Sequence, residues 1–356
     1  MEDKVYESLA EALDRLPNGF PSTDGRVEIE ILKMMFTPEE ACIAATLSEE
    51  YEPAGVIAER LGQDVKDAKA RLKSMSHDGR VLSKIDNRQR LFRLNPFIVG
   101  SYEAVMARLK DEDAHGFAHL IEDYWAASGG LAGIMTPRPA IHRVLPSQGA
   151  LKSEWILPYD DVVALLSDAR SFVLSDCVCR KQQDLIGDRK CSFPRRACLS
   201  FSHFKRPAHP DRVTRGEALA FLKEAEEIGL VHTVSNVAKG IYYVCNCCGC
   251  CCGILRSISD FGLVESVAHA NYACSVTGGE CTGCGICVAR CQVRAISIVD
   301  SVAVVDKDRC IGCGLCVTTC ATGAAHLELK PPSEIIDPPA DPGEWARMRR
   351  ASRGSG

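Results

Sequence analysis

The residues in this chain that can do chemistry are its cysteines, and they are unevenly placed. Twenty are present, and only Cys42 precedes residue 177. Eight fall into two runs of one pattern, C-x2-C-x2-C-x3-C. CTGCGICVARC supplies Cys281, Cys284, Cys287 and Cys291; CIGCGLCVTTC, twenty-nine residues on, supplies Cys310, Cys313, Cys316 and Cys320. Three thiols at i, i+3 and i+6 on a tight turn point at three corners of one iron–sulfur cube. A fourth at the start of a helix is carried away towards another. Gly283, Gly285, Gly312 and Gly314 let the chain wrap closely and turn backbone N–H groups on to sulfur, contacts that help set a reduction potential. Zinc sites usually separate cysteine pairs by a longer loop, so these triple runs suit zinc poorly.

A second field of cysteines precedes the repeat. Cys177 and Cys179 stand in SDCVCRKQ, and Cys191 and Cys198 in KCSFPRRACL. YYVCNCCGCCCG then adds Cys245, Cys247, Cys248, Cys250, Cys251 and Cys252. Within that run Cys245, Cys248 and Cys251 again have i, i+3, i+6 spacing, which could grip three corners of a cube. Three chemistries compete for the field: one or two further iron–sulfur clusters, structural zinc, or a redox-active disulfide with spare thiols. Tetrahedral thiolate sites suit the first two alike, and strain in a bridge between neighbouring cysteines weighs against the third. A chain already made where clusters are assembled favours iron–sulfur, with Cys177, Cys179, Cys191, Cys198, Cys245, Cys248 and Cys251 as candidate ligands. Arg180, beside Cys179, is either a group that tunes a cluster or a surface or salt-bridged arginine.

No other constellation competes. No G-x-G-x-x-G follows a strand, and there is no phosphate-binding loop or nucleophile elbow. His142, His203, His209 and His232 are scattered and read as surface or core residues. No catalytic residue is therefore named, and substrate chemistry would fall to a partner subunit.

The elements that must position these thiols come from a chain of 356 residues, long enough for two or three domains. A net charge of −5 gives no overall bias towards nucleic acid or anionic membrane. The N-terminus, MEDKVYESLAEALDRL, is acidic and amphipathic, not a cleavable signal. No apolar stretch is long enough to span a bilayer. Clustered cysteines without these signals point to a reducing compartment, the cytoplasm.

Residues 1–25 read as a helix and a turn-rich linker. From 26 to 100, two helical patterns lead to EPAGVIAERLG, a third helix in DVKDAKARLKSMSHDG, and the alternation of RVLSKIDNRQRLFRLN. A cysteine-rich middle domain at 101–260 carries helices near 100–127 and 160–170. It also has an irregular stretch, SGGLAGIMTPRPAIHRVLP, and the helix RGEALAFLKEAEEIGLV. Residues 261–330 hold the repeat, with a hairpin in AISIVDSVAVVD. The tail 331–356, rich in Pro and charge, is expected to be flexible. The fold class is α+β.

Three resemblances add to this. The repeat resembles the two-cluster bacterial-type ferredoxin. Carried over position by position, it implies one [4Fe–4S] cluster on Cys281, Cys284, Cys287 and Cys320 and a second on Cys310, Cys313, Cys316 and Cys291. The chain departs from that family where a proline usually follows each fourth cysteine: here stand Gln292 and Ala321. Residues 26–100 resemble a winged helix-turn-helix domain, with Lys66, Lys69, Arg71 and Lys73 on the helix that would face DNA and Arg88, Arg90 and Arg93 on the wing. That segment balances twelve Lys and Arg against twelve Asp and Glu, a weak footprint for phosphate. Docking to protein is at least as good a use. Residues 130–330, with CxCR and CNCCGCCC, are similar to an uncharacterised group of 4Fe–4S-binding proteins of anaerobes.

The expected function is a low-potential electron relay, linking a donor such as free ferredoxin to a catalytic oxidoreductase subunit. Two alternatives stand beside it: a cluster-controlled DNA-binding redox regulator, and a self-contained reductase using a cluster in the second field. A homo-oligomer is compatible with the sequence.

Overall fold

Capping chemistry sets one end of the helices Pro38–Ala45, Ala54–Leu61 and Val65–His77 in the first part of the chain. In this computed structural model, which describes residues 2–151 and 156–354, the chain divides into two compact units. Unit 1 comprises Met1–Pro137, Lys181–Asp188 and Arg349–Gly356. It opens with α1 (Glu2–Asp14) and α2 (Val27–Met35), followed by α3 (Pro38–Ala45), which starts at a capping box of Thr37 and Glu40. β1 (Glu52–Pro53) leads into α4 (Ala54–Leu61), which stops where Gly62 turns left-handed at φ 62°. Asp64 then accepts the Lys66 and Asp67 N–H groups to start α5 (Val65–His77). β2 (Val81–Asp86) and β3 (Gln89–Leu94) form a hairpin through Asn87 and Arg88, whose φ values of 45° and 65° suit a tight two-residue turn. The three strands lie in the order β1-β3-β2. α6 (Tyr102–Arg108), α7 (Asp111–Ala126) and α8 (Gly130–Met135) complete the unit, around an aromatic cluster of Phe20, Phe97, Tyr102, Tyr124 and Trp125.

Unit 2 comprises Arg138–Arg180 and Arg189–Met348. Its frame is built from β4 (His142–Leu145), α9 (Val162–Leu165), β5 (Ser171–Asp176) and the start of α10 (Val178–Leu185). These are followed by β6 (Arg196–Ser202), β7 (Arg212–Val213), α11 (Arg215–Ile228), β8 (Val231–Ser235) and β9 (Tyr243–Cys247). The strands make one six-stranded antiparallel sheet in the order β4-β8-β9-β6-β5-β7. Leu199, Phe201, Val234 and Val244 of the sheet pack with Ala218 and Leu222 of α11 in the core. α11 is the helix expected from RGEALAFLKEAEEIGLV, with a Thr214–Glu217 capping box and Gly229 at its left-handed end. After α12 (Gly253–Ser259) come β10 (Tyr272–Val276), α13 (Ile286–Arg290), β11 (Ile296–Val299), β12 (Val302–Val305), β13 (Ala325–Leu329) and the start of α14 (Pro342–Arg353), whose residues from Arg349 on belong to unit 1.

Mixed helix and sheet agree with an α+β chain. The two-unit division is coarser than the expected boundaries: unit 1 runs past residue 100 to Pro137, and unit 2 takes in both cysteine fields. Two local expectations differ from the structure. The stretch read as irregular between 128 and 146 contains α8 and β4, and β4 pairs with β8, some ninety residues away. Four residues, HRVL, are too few to show a periodicity that would announce such a partner. The tail at 331–356, expected to be flexible, instead carries α14, whose Arg349 is fully buried and donates to Pro17 O at 2.8 Å and Pro137 O at 2.6 Å. Its charge reads as solvated in sequence, but a guanidinium that caps buried carbonyls orders the helix bearing it. Among the described residues no helix is long and apolar enough to cross a membrane.

Candidate metal centres

Two short antiparallel pairs hold the repeat. β10 pairs with β13; β11 pairs with β12, the expected hairpin, through Asp300 and Ser301 at φ 48° and 63°. The cysteine loops themselves need glycine. Gly283 and Gly312 have φ of 64° and 70°, and a Cβ on either would lie 2.5 Å from Ser301 O or 2.3 Å from Tyr272 O. Gly285 and Gly314 take φ of 75° and 74° at the matching places of the two loops. Backbone N–H groups point at sulfur: Ala295 to Cys291 Sγ at 3.2 Å, Ala303 to Cys281 Sγ at 3.4 Å, and Ala325 to Cys320 Sγ at 3.4 Å. Thiols, close-wrapping glycines and N–H donors on sulfur together fit an iron–sulfur cluster, which when bound takes up and releases one electron at a time.

The spacing of the repeat does not include Cys274. It lies on β10, nearly fully buried, with its Sγ 3.5 Å from that of Cys316. The sequence holds only a weak signal for it, an isolated cysteine on an alternating strand just before the repeat.

The second field does not gather as one group. Cys191, Cys248, Cys250 and Cys251 bring their four Sγ atoms within 4.8 Å of one another. Cys250 is not among the ligands expected from the sequence. This set lies in an apolar cluster with Ala225 and Leu230, packed round by Phe193, Phe221 and Ile228. The other six thiols form a chain of neighbours. Cys177 meets Cys179, Cys179 meets Cys252, Cys252 meets Cys247, Cys247 meets Cys245, and Cys245 meets Cys198, its register partner on β6. The i, i+3, i+6 set of Cys245, Cys248 and Cys251 is therefore not brought together. β9 carries Cys245 and Cys247 on one face because strand side chains alternate, while Cys248 and Cys251 lie in the turn beyond it. The Gly253 N–H reaches Cys179 sulfur and the Leu255 N–H reaches that of Cys252.

Arg180 is not a surface residue. It is fully buried, donating from Nη1 to Pro194 O at 3.1 Å and from Nη2 to Asn246 O at 2.9 Å, while its Nε has no hydrogen-bond partner. Its guanidinium also reaches Cys248. Hydrogen bonds from Cys250 and Cys251, with that positive charge, hold the Cys248 thiol well below the usual range. Cys250 is pushed up to about 12 by Cys248. Four thiols this close cannot all ionise unaided, since each charge opposes the next.

The two fields meet in unit 2 at Gly249 and Gln292. Gly249 donates its N–H to Gln292 Oε1 at 2.9 Å, and a Cβ on Gly249 would lie 1.9 Å from Gln292 O. The residue that replaces the usual proline after Cys291 thus docks the turn between Cys248 and Cys250. Of the expected histidines, His142 and His232 are buried on the sheet, bonded to Tyr243 and Asn246. His203 and His209 are exposed. None joins a thiol group.

A family model described as a 4Fe–4S dicluster domain matches residues 280–324, a span that contains all eight cysteines of the repeat. The chain therefore carries a 4Fe–4S ferredoxin-like domain. No curated protein and no solved structure matches the chain.

Proposed function

We propose that this protein relays single low-potential electrons through [4Fe–4S] clusters between a redox donor, such as a free ferredoxin, and a partner oxidoreductase. The observation that carries the reading is the duplicated loop at 281–287 and 310–316, with its paired left-handed glycines and N–H···S contacts. In this reading Cys281, Cys284, Cys287 and Cys320 hold one cluster, and Cys310, Cys313, Cys316 and Cys291 the other. A further cluster is assigned to the open chain of Cys177, Cys179, Cys198, Cys245, Cys247 and Cys252. Among the described residues no three of these sulfurs come within 4.8 Å of one another, which suits one ion poorly, and the Gly253 and Leu255 N–H groups reach sulfur here as N–H donors do in the repeat. Residues 261–330 are then the electron port, 101–260 the site of upstream chemistry, and the compartment is cytoplasmic.

The order α2 to β3, with sheet order β1-β3-β2, supports a winged-helix-like part at 26–100. We assign it to docking of the partner protein. A regulator that binds DNA has one observation in its favour: Lys66, Lys69, Arg71 and Lys73 of α5 are all exposed. A mobility shift of duplex DNA that changes with cluster oxidation would move the assignment to that reading.

The relay is tested on anaerobically purified full-length protein by chemical reduction, EPR and electron exchange with reduced ferredoxin. The expected result is at least about eight irons per chain and two interacting reduced cubane signals that ferredoxin can also generate. Clusters that cannot be reduced and reoxidised reversibly would overturn the relay.

A further inference from the structure

We propose that Cys191, Cys248, Cys250 and Cys251 hold a single tetrahedral metal ion, zinc or iron, and not a cluster. This assignment goes beyond the relay and does not depend on it.

The spacing of the sulfurs decides between the two. Cys250 and Cys251 are 3.5 Å apart, Cys248 and Cys250 3.7 Å, Cys191 and Cys251 3.8 Å, and Cys191 and Cys248 3.9 Å. Four thiolates about 2.3 Å from one ion at the corners of a tetrahedron are about 3.8 Å from each other. A cubane instead holds each thiolate on a different iron, so its four ligands stand farther apart. The dicluster segment follows that second pattern: among the described residues, only the Cys191 set brings three or more ligand atoms within 4.8 Å of one another.

The surroundings suit a closed ion site. Ala225, Leu230, Phe193 and Phe221 pack around the thiols, and four protein ligands leave no position for a substrate. A divalent ion with four thiolates carries two net negative charges, which an apolar setting penalises. Arg180 answers that charge from a fully buried position, and its two anchors tie together both ligand loops. Pro194 follows Cys191 by three residues and Asn246 precedes Cys248 by two. Through Gly249 and Gln292 the same turn docks on the residue after Cys291. The ion thus fastens the dicluster segment to the sheet of unit 2.

The test is metal and sulfide analysis of the full-length protein, purified without oxygen, with X-ray absorption at the edge of the extra metal. The expected result is one zinc per chain, or one iron in excess of acid-labile sulfide, bound to four sulfurs at about 2.3 Å. The metal found decides between the two ions. Cys250→Ala should lose that one ion while sulfide content and the dicluster EPR signals stay unchanged. Loss of about four irons together with four sulfides would assign a cluster to these cysteines and overturn the proposal. So would wild-type protein with no zinc and iron equal to sulfide, a measurement that stands even if the variant does not fold. Reducible clusters without the extra ion would defeat this site and leave the relay; the extra ion beside irreducible clusters would do the reverse.

Discussion

The dicluster segment and the run from Tyr243 to Gly253 are both dense in cysteine, yet they organise it in opposite ways. In the dicluster segment, cysteines three apart stay near one another on a local turn, as Cys313 does with Cys310 and Cys316, and the two loops repeat the same glycine conformations. In the run, cysteines that are neighbours in sequence part company. Cys247 ends β9 and joins the open chain; Cys248 begins the turn and joins the tight set. Where ligands come from one turn, spacing reports the site. Where they come from a strand, a turn and two distant loops, only the register of the sheet reports it.

The comparison breaks most visibly at the ligands of the repeat. Cys281→Ala and Cys291→Ala should each lose about four irons, and the reduced signal left behind should differ between them, because in the proposed relay the two cysteines serve different clusters. Identical residual spectra would show that the fourth cysteine of each run stays with its own loop.

Backbone space in the repeat gives the next largest effect. Gly312→Ala puts a Cβ 2.3 Å from Tyr272 O at a positive φ, so a destabilisation on the order of 3 kcal/mol is expected. Gly285→Ala meets nothing within 4 Å and should cost only about 1 kcal/mol for its φ of 75°. The midpoint of thermal iron release, followed by absorbance, ranks the two. Equal midpoints would mean that close wrapping is not what these glycines supply.

The division of the run is sharpened by two adjacent substitutions. Cys248→Ala should remove the single ion and leave labile sulfide untouched, whereas Cys247→Ala should keep that ion and lower both iron and sulfide. The same loss from both would merge the two thiol groups into one site.

The smallest effect concerns Cys274. Beside a Cys316 thiolate its S–H becomes a donor, and one such bond is worth about 1 kcal/mol, on the order of 40 mV for one electron. Cys274→Ala should therefore lower the potential of that cluster by roughly this amount in a redox titration with EPR detection. An unchanged potential would make the 3.5 Å contact a packing feature only.

Several elements could be read in advance for reasons that are local. Thr214 and Glu217 announce the start of α11; the expected helix runs on to Val231, whereas Gly229 ends it after Ile228 and Val231 already opens β8. The hairpin of β11 and β12 is likewise visible in its alternation. β4 could not be read, because its four residues acquire meaning only beside β8. Nor could α14, whose order comes from the buried bonds of Arg349 to Pro17 and Pro137.

The same division holds for the metal chemistry. By itself the sequence determined that this protein carries a duplicated cysteine loop suited to iron–sulfur cubes, because the loops' ligands and glycines lie within a few residues of one another. Tertiary structure alone decided how the second field is shared out. It drew Cys191 from a loop to meet Cys248, Cys250 and Cys251, turned Cys245 and Cys247 the other way, and buried Arg180 against the result. The physical reason is that a strand's period of two and the pairing of β9 with β6 and β8 override neighbourhood in sequence, and neither is written in the spacing of the cysteines.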